Sequence, residues 1–185
     1  MPNYRRWKVE GGVYFFTLVT QERQALFQMG ESRARLRRAI AAVRALRAFV
    51  LDAIVLLPDH LHMIMRLPPG DLDFSRRLGA IKYAFTRSHL AGGGTEARVG
   101  DGASRHRHRG VWQRRFYEHL IRDSRDFQRH VDYIHINPVK HEYVARPIDW
   151  PWSTFHRYLR LGEYNEEWCG HVELPGDVYI EPDTW

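Results

Sequence analysis

The sequence predicts an α+β fold in which a four-stranded antiparallel sheet carries helices on one face, followed by a further helix and a tail. Three observations predict it. Apolar residues fall into runs of strand length and runs at helical spacing, in the order β-α-β-β-α-β. The pair Pro58-Asp59 breaks one long apolar stretch into two strands. An amphipathic run then adds a helix beyond the sixth element. This order is the split βαβ, or ferredoxin-like, arrangement, and because it hosts many functions the chemistry has to come from particular residues.

The elements follow in turn. VYFFTLVT (Val13 to Thr20) is a β-rich strand. Leu36, Ile40, Val43 and Leu46 repeat at helical spacing, with Arg33, Arg37 and Arg44 on the rest of that helix. VLDAIVLLP and HLHMIMRLP read as two strands across the Pro58-Asp59 turn. A second helix places Phe74, Leu78, Ile81 and Phe85 on one face, with Asp71 or Asp73 as its cap. Residues 91–110 hold six glycines and almost no large apolar side chain, the composition of a flexible insert. VWQRRFYEHLI resumes as a strand. The last long helix starts at Asp123 or Ser124 and ends at Pro138. WPWSTFHRYL makes one brief helix, and an acidic appendage follows. The domain so defined spans 1–149, with a basic-aromatic, then acidic, tail over 150–185.

Composition narrows the function. Hydrophobic residues make up 44% of the 185, enough for a packed core. No run is long and apolar enough for a membrane span, and the first residues lack the apolar stretch of a signal peptide, so a cytoplasmic protein without a membrane partner is expected. The single cysteine, Cys169, excludes an internal disulfide framework or a thiolate metal cluster. All 28 Lys and Arg lie at or before Arg160, whereas seven acidic residues follow Gly162, so the first 162 residues carry about +13. Arginine dominates that charge, and its planar fork suits phosphates and base edges. The expectation is a nucleic-acid partner; a merely solvated basic surface is the alternative.

Within a strand His60 and His62 project from the same face, together with Ile64, while Leu61, Met63 and Met65 point the other way into the helix-covered core. Two imidazoles so placed can chelate one divalent ion, or they can be an incidental pair on the open sheet face. In the last long helix Tyr133 and Asn137 are four residues apart and share a face beside the apolar stripe of Phe127, Val131 and Ile134. A hydroxyl and an amide oxygen could thus meet one ligand. Alternatively, Tyr133 packs at the edge of the stripe and Asn137 only closes the helix before Pro138.

Taken together, the His-hydrophobic-His strand and the Tyr-x-x-x-Asn helix some seventy residues on resemble the HUH single-tyrosine transposases. More narrowly, LLPDHLHMIM, WQRRFYEHLIRDSRDFQRHVDYIHINPVKH and WPWSTFHRY look like the REP-associated tyrosine transposases of bacteria, in blocks from about Tyr14 to Tyr158. The insert and the acidic end lie outside the resemblance. It implies that His60 and His62 are metal ligands and that Tyr133 is the nucleophile. Asn137 matches a position that is more often glutamine in the wider group and completes the ligand set. It further implies a divalent cofactor, Mg²⁺ or Mn²⁺, and cleavage and rejoining of single-stranded DNA beside palindromic repeats that fold into hairpins. The chain would act as a monomer or homodimer, near the nucleoid.

The chemistry suits those residues. At pH 7 only about one tyrosine in a thousand is ionised, a handicap of roughly 4 kcal/mol that a cation on the scissile phosphate can offset. Attack by Tyr133 would give a 5′-phosphotyrosine and a free 3′-hydroxyl, conserving the bond energy for rejoining. His130, close to the same helical face, is a candidate acid-base group. Candidate DNA contacts are Arg37 and Arg44 on the first helix, Trp112, Arg114 and Arg115 in WQRRF, and Trp152, His156 and Arg157 near the end. For each, a core aromatic or a solvated charge is the rival. At the level of function the rivals are a non-catalytic hairpin DNA- or RNA-binding module of the same fold, and a hydrolase that uses activated water.

Overall fold

A computed structural model of the chain describes residues 7–98 and 109–169, in two compact units divided between Ile121 and Arg122. The first unit holds β1 (Val13–Val19), α1 (Gly30–Leu46), β2 (Val50–Leu56), β3 (His60–Arg66), α2 (Phe74–Ala91) and β4 (Tyr117–Leu120). These strands form one antiparallel sheet in the order β2-β3-β1-β4, the expected split βαβ topology. The Pro58-Asp59 turn closes the β2–β3 hairpin, with Leu57 N–H donating to His60 O at 2.9 Å. In register, Thr17 stands opposite His62 on one side and Tyr117 on the other, and Val19 stands opposite His60.

Alternation along β3 sorts its side chains as the sequence predicts. Leu61, Met63 and Met65 enter the core with Phe16 and Leu18 of β1, Leu36 and Val43 of α1, and Phe74, Leu78, Ile81 and Phe85 of α2. Asp73 caps α2 by accepting from Arg76 N–H at 3.0 Å. The other face of β3 is also withdrawn from solvent, with His60, His62 and Ile64 all buried.

Several expectations need correction. Leu46 lies at the end of α1, 86% exposed, because Ala39 and not Leu46 completes the buried stripe with Leu36 and Val43. The last strand is confined to Tyr117–Leu120, since Val111 and Trp112 turn into the core and meet the sheet only through an isolated Thr20–Trp112 bridge. The flanks of the expected insert are held by Ala97 N–H donating to Gly110 O at 2.8 Å and by an Arg109–Glu96 ion pair. Residues 99–108 of that insert lie outside the described residues.

The second unit contains α3 (Ser124–Lys140), a 3-10 turn at Pro147–Asp149 and α4 (Phe155–Arg160). Asp123 caps α3 through Asp126 N–H at 2.8 Å. The helix does not stop at Pro138. Proline cannot donate to the Ile134 carbonyl, yet His141 N–H still reaches Asn137 O at 3.0 Å, and burial of Ile134, Asn137 and Pro138 holds the turn. The start of the acidic segment is packed as well. Tyr164 is buried, stacked on Phe155 and in contact with Trp168, whereas the remainder from 170 on lies outside the described residues. No helix among the described residues is long and apolar enough to cross a membrane.

Candidate active site

Strand β3 delivers two imidazoles with ring centroids 5.0 Å apart and planes at 80°. Each is anchored at Nδ1. The carboxylate of Asp59 can only accept, so His60 Nδ1–H donates to Asp59 Oδ1, at 2.6 Å, and the ring's lone pair resides on Nε2. His62 Nδ1 lies 2.8 Å from Thr17 Oγ1, its cross-strand partner, and the ring stacks on Phe15 at 5.5 Å. Burial pushes the Asp59 carboxyl up, but the hydrogen bond and charge of His60, with those of Arg23, outweigh it and hold the group below its usual value. Metal-ligating histidines are characteristically held in this way, one nitrogen on a carboxylate or other oxygen and the other kept for the ion.

Helix α3 carries the second half of the predicted chemistry. Tyr133 and Asn137, one turn apart, are both buried, and Lys140 Nζ lies 5.1 Å from the Tyr133 ring centroid. Neither Oδ1 nor Nδ2 of Asn137 has a hydrogen-bond partner among the described residues. A buried amide left so costs about 1–3 kcal/mol, which a ligand can return. His130 Nδ1 donates to the Asp126 carbonyl at 2.8 Å and lies 3.0 Å from its carboxylate, so this ring too is oriented.

His135 is different. Tyr164 Oη donates to Asp132 Oδ1 at 2.6 Å and so accepts from His135 Nδ1–H at 3.2 Å, leaving Nε2 to accept from Thr154 Oγ1 at 2.9 Å. Phe155, Tyr158 and Tyr164 surround the ring. Burial, reinforced by the charges of Arg157 and His156, lowers its pKa to about 3. Burial and Asp132 together raise that of Tyr164.

The candidate DNA contacts divide. Arg37, Arg44, Arg114, Arg115 and Trp152 are exposed, although Arg44 Nε also donates to Phe49 O at 3.0 Å. Trp112 is instead a core residue, 2% exposed, with its ring between Phe27 and Phe85, so it is not an open stacking face. His156 is bound to Trp150 O at 3.1 Å, and Arg157 lies over Tyr158. Sequence reasoning missed Asp59, Thr17 and Arg23 as supports of the histidine pair. In the sequence Asp59 reads only as a turn residue, although its place beside His60 is the signal; Thr17 becomes legible only once the register is known.

Comparison with known proteins places the chain. No family model matches it. A REP-associated tyrosine transposase of Escherichia coli is 42% identical over 172 residues, 93% of each chain. A Haemophilus influenzae protein bearing the same family name is 41% identical over 181 residues, 96% of this chain and all of that one. Among solved structures, a REP-associated tyrosine transposase bound to a REP hairpin superposes with a TM-score of 0.79 at 41% identity, covering 95% of this chain and 96% of that one. The fold and these relatives define a DNA transposase. The chain belongs to the REP-associated tyrosine transposase family.

The residues present fit the divalent ion that this family membership implies. The buried imidazoles of His60 and His62, with their Nδ1 atoms held by Asp59 and Thr17, are nitrogen donors of a kind that suits a divalent ion, and α3 separately carries in Asn137 a buried amide with neither polar atom hydrogen-bonded among the described residues.

Proposed function

We propose that this protein is a metal-dependent single-stranded DNA endonuclease and strand transferase acting at hairpin-forming palindromic repeats. Tyr133 is the nucleophile, and His60, His62 and Asn137 are the ligands of a divalent ion. Tyr133 Oη bonds to the scissile phosphorus and gives up its proton, the bond from phosphorus to the 3′-oxygen breaks, and that oxygen leaves as a 3′-hydroxyl after taking up a proton. The DNA downstream stays on the protein as a 5′-phosphotyrosine, and attack by a 3′-hydroxyl reverses the step without a nucleotide cofactor. Bound, the ion would supply positive charge at the phosphate as negative charge develops. His130, oriented through Nδ1–H, keeps its lone pair on Nε2 and suits proton transfer. Arg37, Arg44, Arg114, Arg115, Trp152 and Arg157 are the proposed DNA contacts.

The observation that carries the reading is the β3 pair, two buried imidazoles on one face of one strand, each anchored at Nδ1. The hairpin-bound relative supports the choice of DNA. The test uses 3′-labelled single-stranded hairpins from repeats around the gene, incubated with Mn²⁺ or Mg²⁺ and run on a denaturing protein gel. We expect label that migrates with the chain and is lost in Tyr133→Phe while hairpin binding persists. Cleavage without covalent label would identify water as the nucleophile, and tight binding without cleavage of any repeat would favour a binding module.

A further inference from the structure

The turn before His60 is more heavily braced than a hairpin turn requires. Thr20, fully buried, donates its N–H to Asp59 O at 2.8 Å and places Oγ1 2.8 Å from the same carbonyl. Phe27 N–H donates to Pro58 O at 2.8 Å. The segment that supplies these contacts contains two consecutive non-glycine residues in the left-handed region, Glu22 at φ 53° and Arg23 at φ 49°. Such a conformation is uncommon and costs free energy unless its surroundings fix it. Arg23, set in this way, directs Nη1 to Asp59 Oδ2 at 3.0 Å. An aspartate in a turn ordinarily turns its side chain onto nearby backbone. Here the two oxygens are divided between an imidazole and a guanidinium.

We propose that Asp59 is a positioning residue for His60, and that Arg23 and Thr20 exist to fix Asp59. The carboxylate selects the Nδ1–H tautomer of His60 and fixes the ring's rotation, so that Nε2 is a preorganised ligand atom. Its purpose rests on the metal reading given above; the anchoring itself does not. His62 provides the internal contrast, because the hydroxyl of Thr17 can either donate or accept and so selects no tautomer by charge.

The experiment is long-range proton–nitrogen NMR on the full-length, ¹⁵N-labelled, metal-free chain at about pH 8, where free histidine is neutral. It is paired with Mn²⁺ titration followed by electron paramagnetic resonance. His60 is expected as the Nδ1–H tautomer in the wild type, as a mixture in Asp59→Ala, and again as Nδ1–H in Asp59→Asn, whose amide oxygen still accepts. Mn²⁺ affinity should fall about 10–100-fold in Asp59→Ala and less in Asp59→Asn. Finding His60 as the Nε2–H tautomer in the wild type overturns the proposal, and that reading needs no variant to fold. An unchanged tautomer and unchanged Mn²⁺ affinity in Asp59→Ala overturns it as well. If the tautomers follow the expectation but the wild type takes up no Mn²⁺, Asp59 does position His60 and the metal reading is what fails.

Discussion

His60 and His135 are both almost wholly buried, yet they are built for opposite ends. His60 sits on a strand with one nitrogen committed to a carboxylate, which fixes where the other lies. His135 sits on a helix with both nitrogens bonded to hydroxyls and aromatic rings on three sides, and burial keeps it neutral. Burial alone therefore does not separate a proposed ligand from a core residue. The kind of partner on Nδ1, a carboxylate for His60 and a hydroxyl for His135, does.

Four measurements would break or sharpen that contrast. The largest effect is expected for His60→Ala and His62→Ala, each lowering covalent adduct formation at least about 10³-fold, read from the labelled-hairpin gel. His135→Ala should act on folding, destabilising the chain by roughly 2–4 kcal/mol in urea melts through the cavity and the loss of its hydrogen bonds with Tyr164 and Thr154. If adduct formation in this variant, assayed in the cold where it remains folded, fell as far as in His60→Ala, the distinction would be wrong. Mn²⁺ at a hundred times its Kd should stabilise the wild type by about 2.7 kcal/mol in a thermal melt. The same increment is expected in His135→Ala, and chelation or His60→Ala should abolish it. The smallest effect belongs to Tyr164→Phe, which removes the hydrogen bond to Asp132 and one support of His135, at a cost of about 1–2 kcal/mol.

What could be read beforehand follows from the range of the signals. Period-two alternation placed His60 and His62 on one face and Leu61, Met63 and Met65 on the other, because a strand's geometry is local. The Pro58-Asp59 turn was legible for the same reason, and so was the cap of α2 to within two candidates, Asp71 and Asp73, of which Asp73 makes the bond. Pro138 misled because local chemistry says stop, whereas the packing of Ile134 and Asn137 says continue. Trp112 reads alike as a base-stacking ring and as a core ring, and only Phe27 and Phe85, far away in sequence, decide between them. The cage around His135 depends on Tyr164 reaching back to Asp132, a contact between segments 32 residues apart that no periodicity announces.

The clasp between Ala97 and Gly110 bears on how the chain can be altered. A Cβ at Gly110 would overlap the Ala97 carbonyl oxygen, so the fastening works only with glycine there. By contrast, one residue added within β3 would put leucine or methionine in place of a histidine on the face that His60 and His62 share. Alteration is thus limited by space at residue 110 and by phase along β3.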